Sequence, residues 1–163
     1  MTKPKKGDTI SGMKTFISKS PEETINYALD FASDLQGGEI LALHGDLGSG
    51  KTTFTKGLAE GLKISEIITS PTFVLLKEYK TQPKSNHMPQ GVGWILVHID
   101  AYRAESIEDI KSVGIEDYLN RSDVILVIEW AEKIKAILPK NVININFTQG
   151  EENERKIQID SKN

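Results

Sequence analysis

"LALHGDLGSGKTTFTKGLAEGL", residues 41–62, is the stretch that decides the fold. Within it, Gly45-Asp46-Leu47-Gly48-Ser49-Gly50-Lys51-Thr52 fits the phosphate-binding loop pattern G-x-x-x-x-G-K-[ST]. An apolar run of strand length, "EILALHG" (39–45), leads into the loop. "GKTTFTKGLAEGL" reads as the helix behind it, closing at Gly61. Strand, glycine loop and helix are the context in which the motif holds a nucleoside triphosphate. Glycines let backbone N–H groups converge on phosphates, helped by the helix N-terminus. Lys51 would bridge the outer phosphates and the Thr52 hydroxyl would ligate Mg²⁺. Asp46 brings a negative charge into the loop, which must be offset or turned away.

Working outward, "SKSPEETINYALDFASDLQGG" predicts a helix on the N-terminal side. Ser20 is its N-cap, Pro21 its first residue, and Glu23 completes a capping box. Ile25, Ala28, Leu29, Ala32 and Leu35 recur at helical spacing, and Gly37-Gly38 ends the element. "KTFIS" (14–18) before it reads as an edge strand. On the C-terminal side, "TFVLLKEYK" (72–80) and "GWILVHIDAYR" (93–103) are strand-like. The polar, proline-bearing "TQPKSNHMPQGV" between them is too short for a crossover helix, so an antiparallel pair is expected.

Beyond that pair, "SIEDIKSVGIEDYLNR" predicts one or two short helices around Gly114. "SDVILVIEW" (122–130) predicts a buried strand, and "AEKIKAIL" a helix stopped by Pro139. "NVININF" (141–147) alternates as a half-buried strand, and "RKIQID" (155–160) closes a terminal hairpin. The fold class is therefore α/β: one three-layer P-loop NTPase domain with a mixed central sheet and an antiparallel pair after the P-loop helix. It is expected to occupy residues 14–163, with 1–13 a disordered leader that includes the basic "KPKK".

A P-loop enzyme also needs a carboxylate at a neighbouring strand end for Mg²⁺ or its water shell. Asp100 follows "WILVHI" and Glu129 follows "DVILVI", both at C-terminal strand ends where α/β ligands gather. Periodicity does not say which of the two touches the metal. "TSPTF" (69–73) stands where switch segments occur in nucleotide hydrolases, and its hydroxyls could reach Mg²⁺ or the terminal phosphate. His98 shares a strand face with Asp100 and reads as a satisfied strand histidine. Tyr102 and Trp130 read as packing residues, while His44 and His87 carry no signal.

Composition narrows the classes. No apolar run reaches the ~18 residues of a membrane span, and the N-terminus lacks the apolar core of a signal peptide. There are no cysteines, which excludes disulfides and thiolate metal sites and agrees with a cytoplasmic home. Net charge is −3 with interspersed lysines and acids, so direct tight binding to DNA or RNA is disfavoured. No [NT]-K-x-D guanine element occurs, and there are three arginines only, Arg103, Arg121 and Arg155. So few cationic side chains argue against a small-molecule kinase that closes over two phosphorylated ligands.

In order, "GDLGSGKTTFTKGL", "SPTF", "HIDAYR", "GIEDYL" and "IEWAEK" resemble the bacterial TsaE (YjeE) family from about Ser20 to Pro139. The resemblance implies a small Mg²⁺-dependent ATPase of tRNA threonylcarbamoyladenosine modification, weak alone. It would act with TsaD and TsaB, resetting that complex between turnovers and meeting tRNA only through it. Carried over by position, Gly45, Asp46, Leu47, Gly48, Ser49, Gly50, Lys51, Thr52 and Thr53 hold ATP, with Lys51 also catalytic. Thr52 and Glu129 become the Mg²⁺ ligands, Asp100 the residue essential for turnover, and Thr72 the switch residue. Thr24 matches a position near the base, and Trp130 packs beside the site. Ala101 stands where the family usually has leucine, and the 81–92 loop is longer than usual. The alternatives are a P-loop kinase of a small metabolite or nucleoside, and a non-hydrolysing nucleotide switch.

Overall fold

The computed structural model describes residues 9–10, 13–82 and 93–160. In chain order the elements are β1 (Thr9–Ile10), β2 (Met13–Ser18), α1 (Pro21–Ala32), β3 (Ile40–His44), α2 (Lys51–Gly61) and β4 (Leu76–Lys80). They continue with β5 (Ile95–Asp100), α3 (Ile107–Ser112), β6 (Val124–Glu129), β7 (Ile143–Gln149) and β8 (Arg155–Asp160). The strands form one sheet in the order β1-β2-β8-β7-β3-β6-β5-β4.

Alternation along the central strands sets the layers. Successive side chains of a strand point to opposite faces. In β6, Ile125 and Val127 join one core with Leu41 and Leu43 of β3, while Leu126 and Ile128 join another with Ile40 and Ala42. The first core packs on Ala28 of α1 and on Phe54 and Leu58 of α2. The second packs on Ile110 of α3, Ile115 and Ile134. Being buried on both faces, β6 is apolar without interruption until Glu129, as a central parallel strand should be. Each fully buried Leu, Ile or Phe contributes about 1.5–3 kcal/mol.

β3 runs parallel to β6 and β7, and β5 parallel to β6. β4 pairs with β5 antiparallel, as the short polar connection predicts. β7, β8 and β2 form an antiparallel flank, so the hairpin expected at 155–160 is present. The 14–18 strand starts at Met13 and is itself covered by β1 through Thr9↔Lys14 and Ile10↔Met13. The rest of the expected leader, and the 83–92 part of the long loop, lie outside the described residues.

α1 and α2 approach through small residues. A Cβ on Gly57 would sit 2.3 Å from the Ile25 carbonyl oxygen and 2.7 Å from Ala28 Cβ; one on Gly61 would sit 2.7 Å from Ala32 Cβ. The four-residue spacing of the glycines matches that of the alanines, so one helix lies directly on the other. α1 starts as predicted, with Ser20 Oγ accepting the Glu23 N–H at 3.1 Å. The Glu23 carboxylate accepts instead from Lys19 N–H, one residue before the cap, at 2.7 Å.

Three expected elements differ. α1 stops at Ala32 instead of reaching Gly37-Gly38, because Ser33 Oγ turns back onto the Asp30 carbonyl at 2.6 Å and ends the ladder. The strand expected from residue 72 begins at Leu76: Val74 and Leu75 N–H both donate to the Pro71 carbonyl, and Leu75 is left-handed with φ 63°. The helix expected after Trp130 is a 3-10 segment, Ala131–Ile137, with non-helical dihedrals at Ile134. Its buried residues, Ala131 and Ile134, are three apart, the repeat of a 3-10 turn. The short helices around Gly114 are α3 and a 3-10 turn at Ile115–Asp117. No helix among the described residues is long and apolar enough to cross a membrane.

Candidate functional site

β3 delivers the chain to Gly45, whose φ of 140° only glycine adopts readily. A Cβ there would also lie 2.5 Å from the Phe147 carbonyl oxygen on β7. The loop enters α2 through Gly50 at φ 106°, and no side chain caps that helix. The first-turn N–H groups of α2 therefore have no side-chain acceptor, which is the arrangement that receives an anion.

Lys51 is 4% exposed and bends back over its own loop. Its Nζ donates to the Gly45 carbonyl at 2.5 Å and the Asp46 carbonyl at 2.8 Å. The ammonium also sits 4.1 Å from the centre of the Trp130 ring. Burial pushes the Lys51 pKa below its ordinary value, and the carboxylates of Glu129, Glu132, Asp100 and Asp46 pull it partly back. Trp130 reaches this place from a left-handed backbone, φ 59°, directly after β6, and its ring meets Tyr102 at 5.1 Å.

The two candidate carboxylates stand side by side. Asp100 and Glu129 are paired in the β5–β6 register, and both fall on the strand face that carries Leu96, Ile125 and Val127 towards α2. Glu129 Oε2 accepts the Thr52 hydroxyl at 3.0 Å, and Oε1 lies 2.8 Å from His98 Nε2. Asp100 Oδ2 takes hydroxyls from Ser70 and from Thr72, the latter at 3.0 Å, while Oδ1 accepts the Tyr102 N–H at 2.9 Å. The Ser70 and Thr72 hydroxyl oxygens themselves lie 2.7 Å apart, so one of the two can donate to the other in place of Asp100. All these groups are 3–4% exposed in the case of the carboxylates and only partly exposed in the case of the hydroxyls.

A cavity of about 310 Å³ opens between residues 47–53 of the loop and the wall formed by Ser70, Thr72, Asp100, Glu129 and Trp130. It thus gathers Leu47, Gly48, Ser49, Gly50, Lys51, Thr52 and Thr53 with both strand-end carboxylates. Asp46 is exposed and off this lining, so its charge is turned away as the loop requires. Thr24 also lies off the lining, buried, with its hydroxyl 2.8 Å from Ser18 Oγ. Arg103 leaves the cavity: its guanidinium stacks on the exposed Phe73 ring at 4.3 Å.

The donors suit a cation shared with phosphates. Among the described residues no three or more His, Cys, Asp and Glu side chains cluster as an all-protein metal cage. One hydroxyl and one carboxylate oxygen 3.0 Å apart are what Mg²⁺ uses when phosphates and water complete its shell. With oxygens about 2.1 Å from the ion, neighbouring vertices of an octahedron are about 3 Å apart.

Two participants escaped the sequence reading. Ser70 is within the "TSPTF" segment, but nothing in the spacing singles out its hydroxyl. His98 was read as a satisfied strand histidine; the structure pairs one nitrogen with Glu129 and leaves Nδ1 buried without a partner. Lys133 adds a third contact, its Nζ donating to the carbonyls of Tyr102 and Ala104 and tying the segment after β5 to the segment after β6.

The chain is similar to several known proteins. The family model described as threonylcarbamoyl adenosine biosynthesis protein TsaE matches residues 18–157. The tRNA threonylcarbamoyladenosine biosynthesis protein TsaE of Bacillus subtilis is 41% identical over 138 residues, 85% of this chain and 79% of that protein. The protein of the same name from Rickettsia prowazekii is 39% identical, over 93% of this chain and 96% of its own length. The crystal structure of Bacillus subtilis YdiB superposes with a TM-score of 0.70 at 32% identity, covering 93% of this chain and 87% of that one. The P-loop, the Ser70 and Thr72 hydroxyls and the paired strand-end carboxylates therefore stand on a chain that belongs to the TsaE family.

Proposed function

We propose that the protein binds ATP with Mg²⁺ and hydrolyses it slowly as an accessory ATPase of tRNA threonylcarbamoyladenosine modification. Its partner is the TsaD–TsaB complex, which it resets between turnovers in the cytoplasm, meeting tRNA only through that complex. The observation that carries the reading is the convergence of Thr52, Glu129 and Asp100 on one side of a P-loop lysine. The family membership supplies the pathway.

Residues 45–53 wrap the phosphates with backbone N–H groups, and Lys51 leaves the Gly45 and Asp46 carbonyls to pair with the outer phosphates. Thr52 and Glu129 would hold Mg²⁺, which would supply neutralisation of phosphate charge. Asp100 orients the attacking water and accepts its proton, once Thr72 and Ser70 turn from Oδ2 towards the terminal phosphate. Trp130 and Tyr102 cover the lysine side and exclude bulk water. The family resemblance puts the base near the start of α1, where Thr24 is buried with its hydroxyl against Ser18. No arginine lies at the cavity, which accords with a slow intrinsic rate: an arginine finger is worth about 10³–10⁵ in turnover.

The test is steady-state ATPase activity of the pure protein, alone and with the TsaB–TsaD complex, at fixed Mg²⁺. A low rate raised by the complex is expected, together with loss of both in Lys51→Ala. Phosphate transfer to a small acceptor, indifferent to the complex, would overturn the reading.

A further inference from the structure

We infer that His98 is a positioning residue that keeps the Glu129 carboxylate aimed at the cation site. The inference rests on the proposed role of Thr52 and Glu129 and extends it to a buried side chain with no other visible task. His98 is fully buried, and its Nε2 lies 2.8 Å from Glu129 Oε1. An ionised carboxylate only accepts hydrogen bonds, so Nε2 is the donor in this contact. Among the described residues Nδ1 has no partner, and the bond to Glu129 is the one hydrogen bond this imidazole makes. A histidine present for structural reasons alone would be expected to satisfy both nitrogens or to be replaced by an aliphatic residue, like Leu96, its buried neighbour on the same face of β5.

The division of the Glu129 oxygens explains the need. Oε2 faces Thr52 and Oε1 faces His98. At rest both neighbours donate to the carboxylate. When the Thr52 oxygen gives a lone pair to a cation, its hydrogen must turn away, and Glu129 loses that donor. His98 keeps the other, two residues along β5 from Asp100 and diagonal to Glu129 in the strand register. Partners of this kind fix ligand orientation and typically change metal affinity by about 10–100-fold when removed.

The experiment uses the full chain and measures ADP and ATP binding by calorimetry across a Mg²⁺ titration and again in EDTA. Wild type is compared with His98→Leu, His98→Gln and His98→Asn. Gln places an amide nitrogen near the Nε2 position, whereas Asn places it near Nδ1. His98→Leu and His98→Asn are expected to need about 10–100-fold more Mg²⁺ for half-maximal tightening of nucleotide binding. His98→Gln should stay within about threefold of wild type, and EDTA affinities should be equal in all four. Should His98→Leu fail to fold, the Gln–Asn pair decides alone. Wild-type Mg²⁺ dependence in Asn or Leu overturns the inference, as does a matching loss of affinity in EDTA, which is the mark of a structural residue. A wild-type protein indifferent to Mg²⁺ overturns the cation site itself, a pattern no His98 variant can imitate.

Discussion

The Thr72 hydroxyl lies 3.0 Å from Asp100 Oδ2, which ties the segment following α2 to the C-terminal end of β5. Two functions expected of separate parts of the chain are thereby in contact. Asp100→Ala should leave nucleotide affinity within about threefold while kcat falls about 10²–10⁴-fold, the range of a general base. Thr72→Val should show the same separation at smaller size. Single-turnover hydrolysis beside equilibrium binding measures it, and an unchanged rate in Asp100→Ala removes that residue from the mechanism.

Lys51 links pH to stability. Its folded pKa is lowered, first by burial, while the unfolded chain keeps the ordinary value of 10.5. Between the lowered folded value and 10.5 the unfolded state binds more protons, so this residue's contribution improves as pH rises through that window and is flat below it. The protein should therefore gain on Lys51→Ala in stability as pH climbs towards 10.5. Urea midpoints of both proteins across that range supply the check; a constant difference would mean that Lys51 is not desolvated.

Trp130 offers a reporter. The chain has two tryptophans, and Trp94 is buried away from the cavity while Trp130 touches the Lys51 ammonium. If Lys51 moves to phosphates, the Trp130 environment changes and that of Trp94 does not. Mg²⁺-ATP should alter emission in wild type and in Trp94→Phe, and leave Trp130→Phe unaltered. A full response in Trp130→Phe would place the nucleotide elsewhere.

The α1–α2 contact sets two effects against each other at Gly57. Alanine is favoured over glycine in a helix by about 1 kcal/mol. Its Cβ would lie 2.3 Å from a main-chain oxygen of α1, and over-packing of this kind costs about 1–3 kcal/mol. Gly57→Ala should be net destabilised by about 0–2 kcal/mol in chemical denaturation. Gly57→Leu should be worse, and a gain in Gly57→Ala would show that the helices can separate without loss.

Much of this was legible because it is local. The loop, its flanking strand and helix, and the Ser20 cap are set by residues a few positions apart. The antiparallel β4–β5 pair followed from the length of one connection. The positions of Asp100 and Glu129 followed from where two apolar runs end. What escaped depends on register between distant segments. The His98–Glu129 contact exists because β5 and β6 align Asp100 with Glu129, and no spacing in one strand encodes that. Ser70 reaches Asp100 only because residues 71–75 turn instead of extending, with Leu75 left-handed. The 3-10 segment after Trp130 is chosen by two buried residues three apart, a pattern that helical periodicity counts as its own.

The resting bonds of Lys51 have a consequence for timing. Because Nζ is already held by the Gly45 and Asp46 carbonyls, the loop contains its own competitor for the site. On the proposed function, a nucleotide would displace an intramolecular ligand of the ammonium held at very high local concentration. Those bonds would lower its affinity by whatever they are worth and would re-form on its release. On that reading the two carbonyl bonds of Lys51 would favour exchange of the nucleotide over its retention.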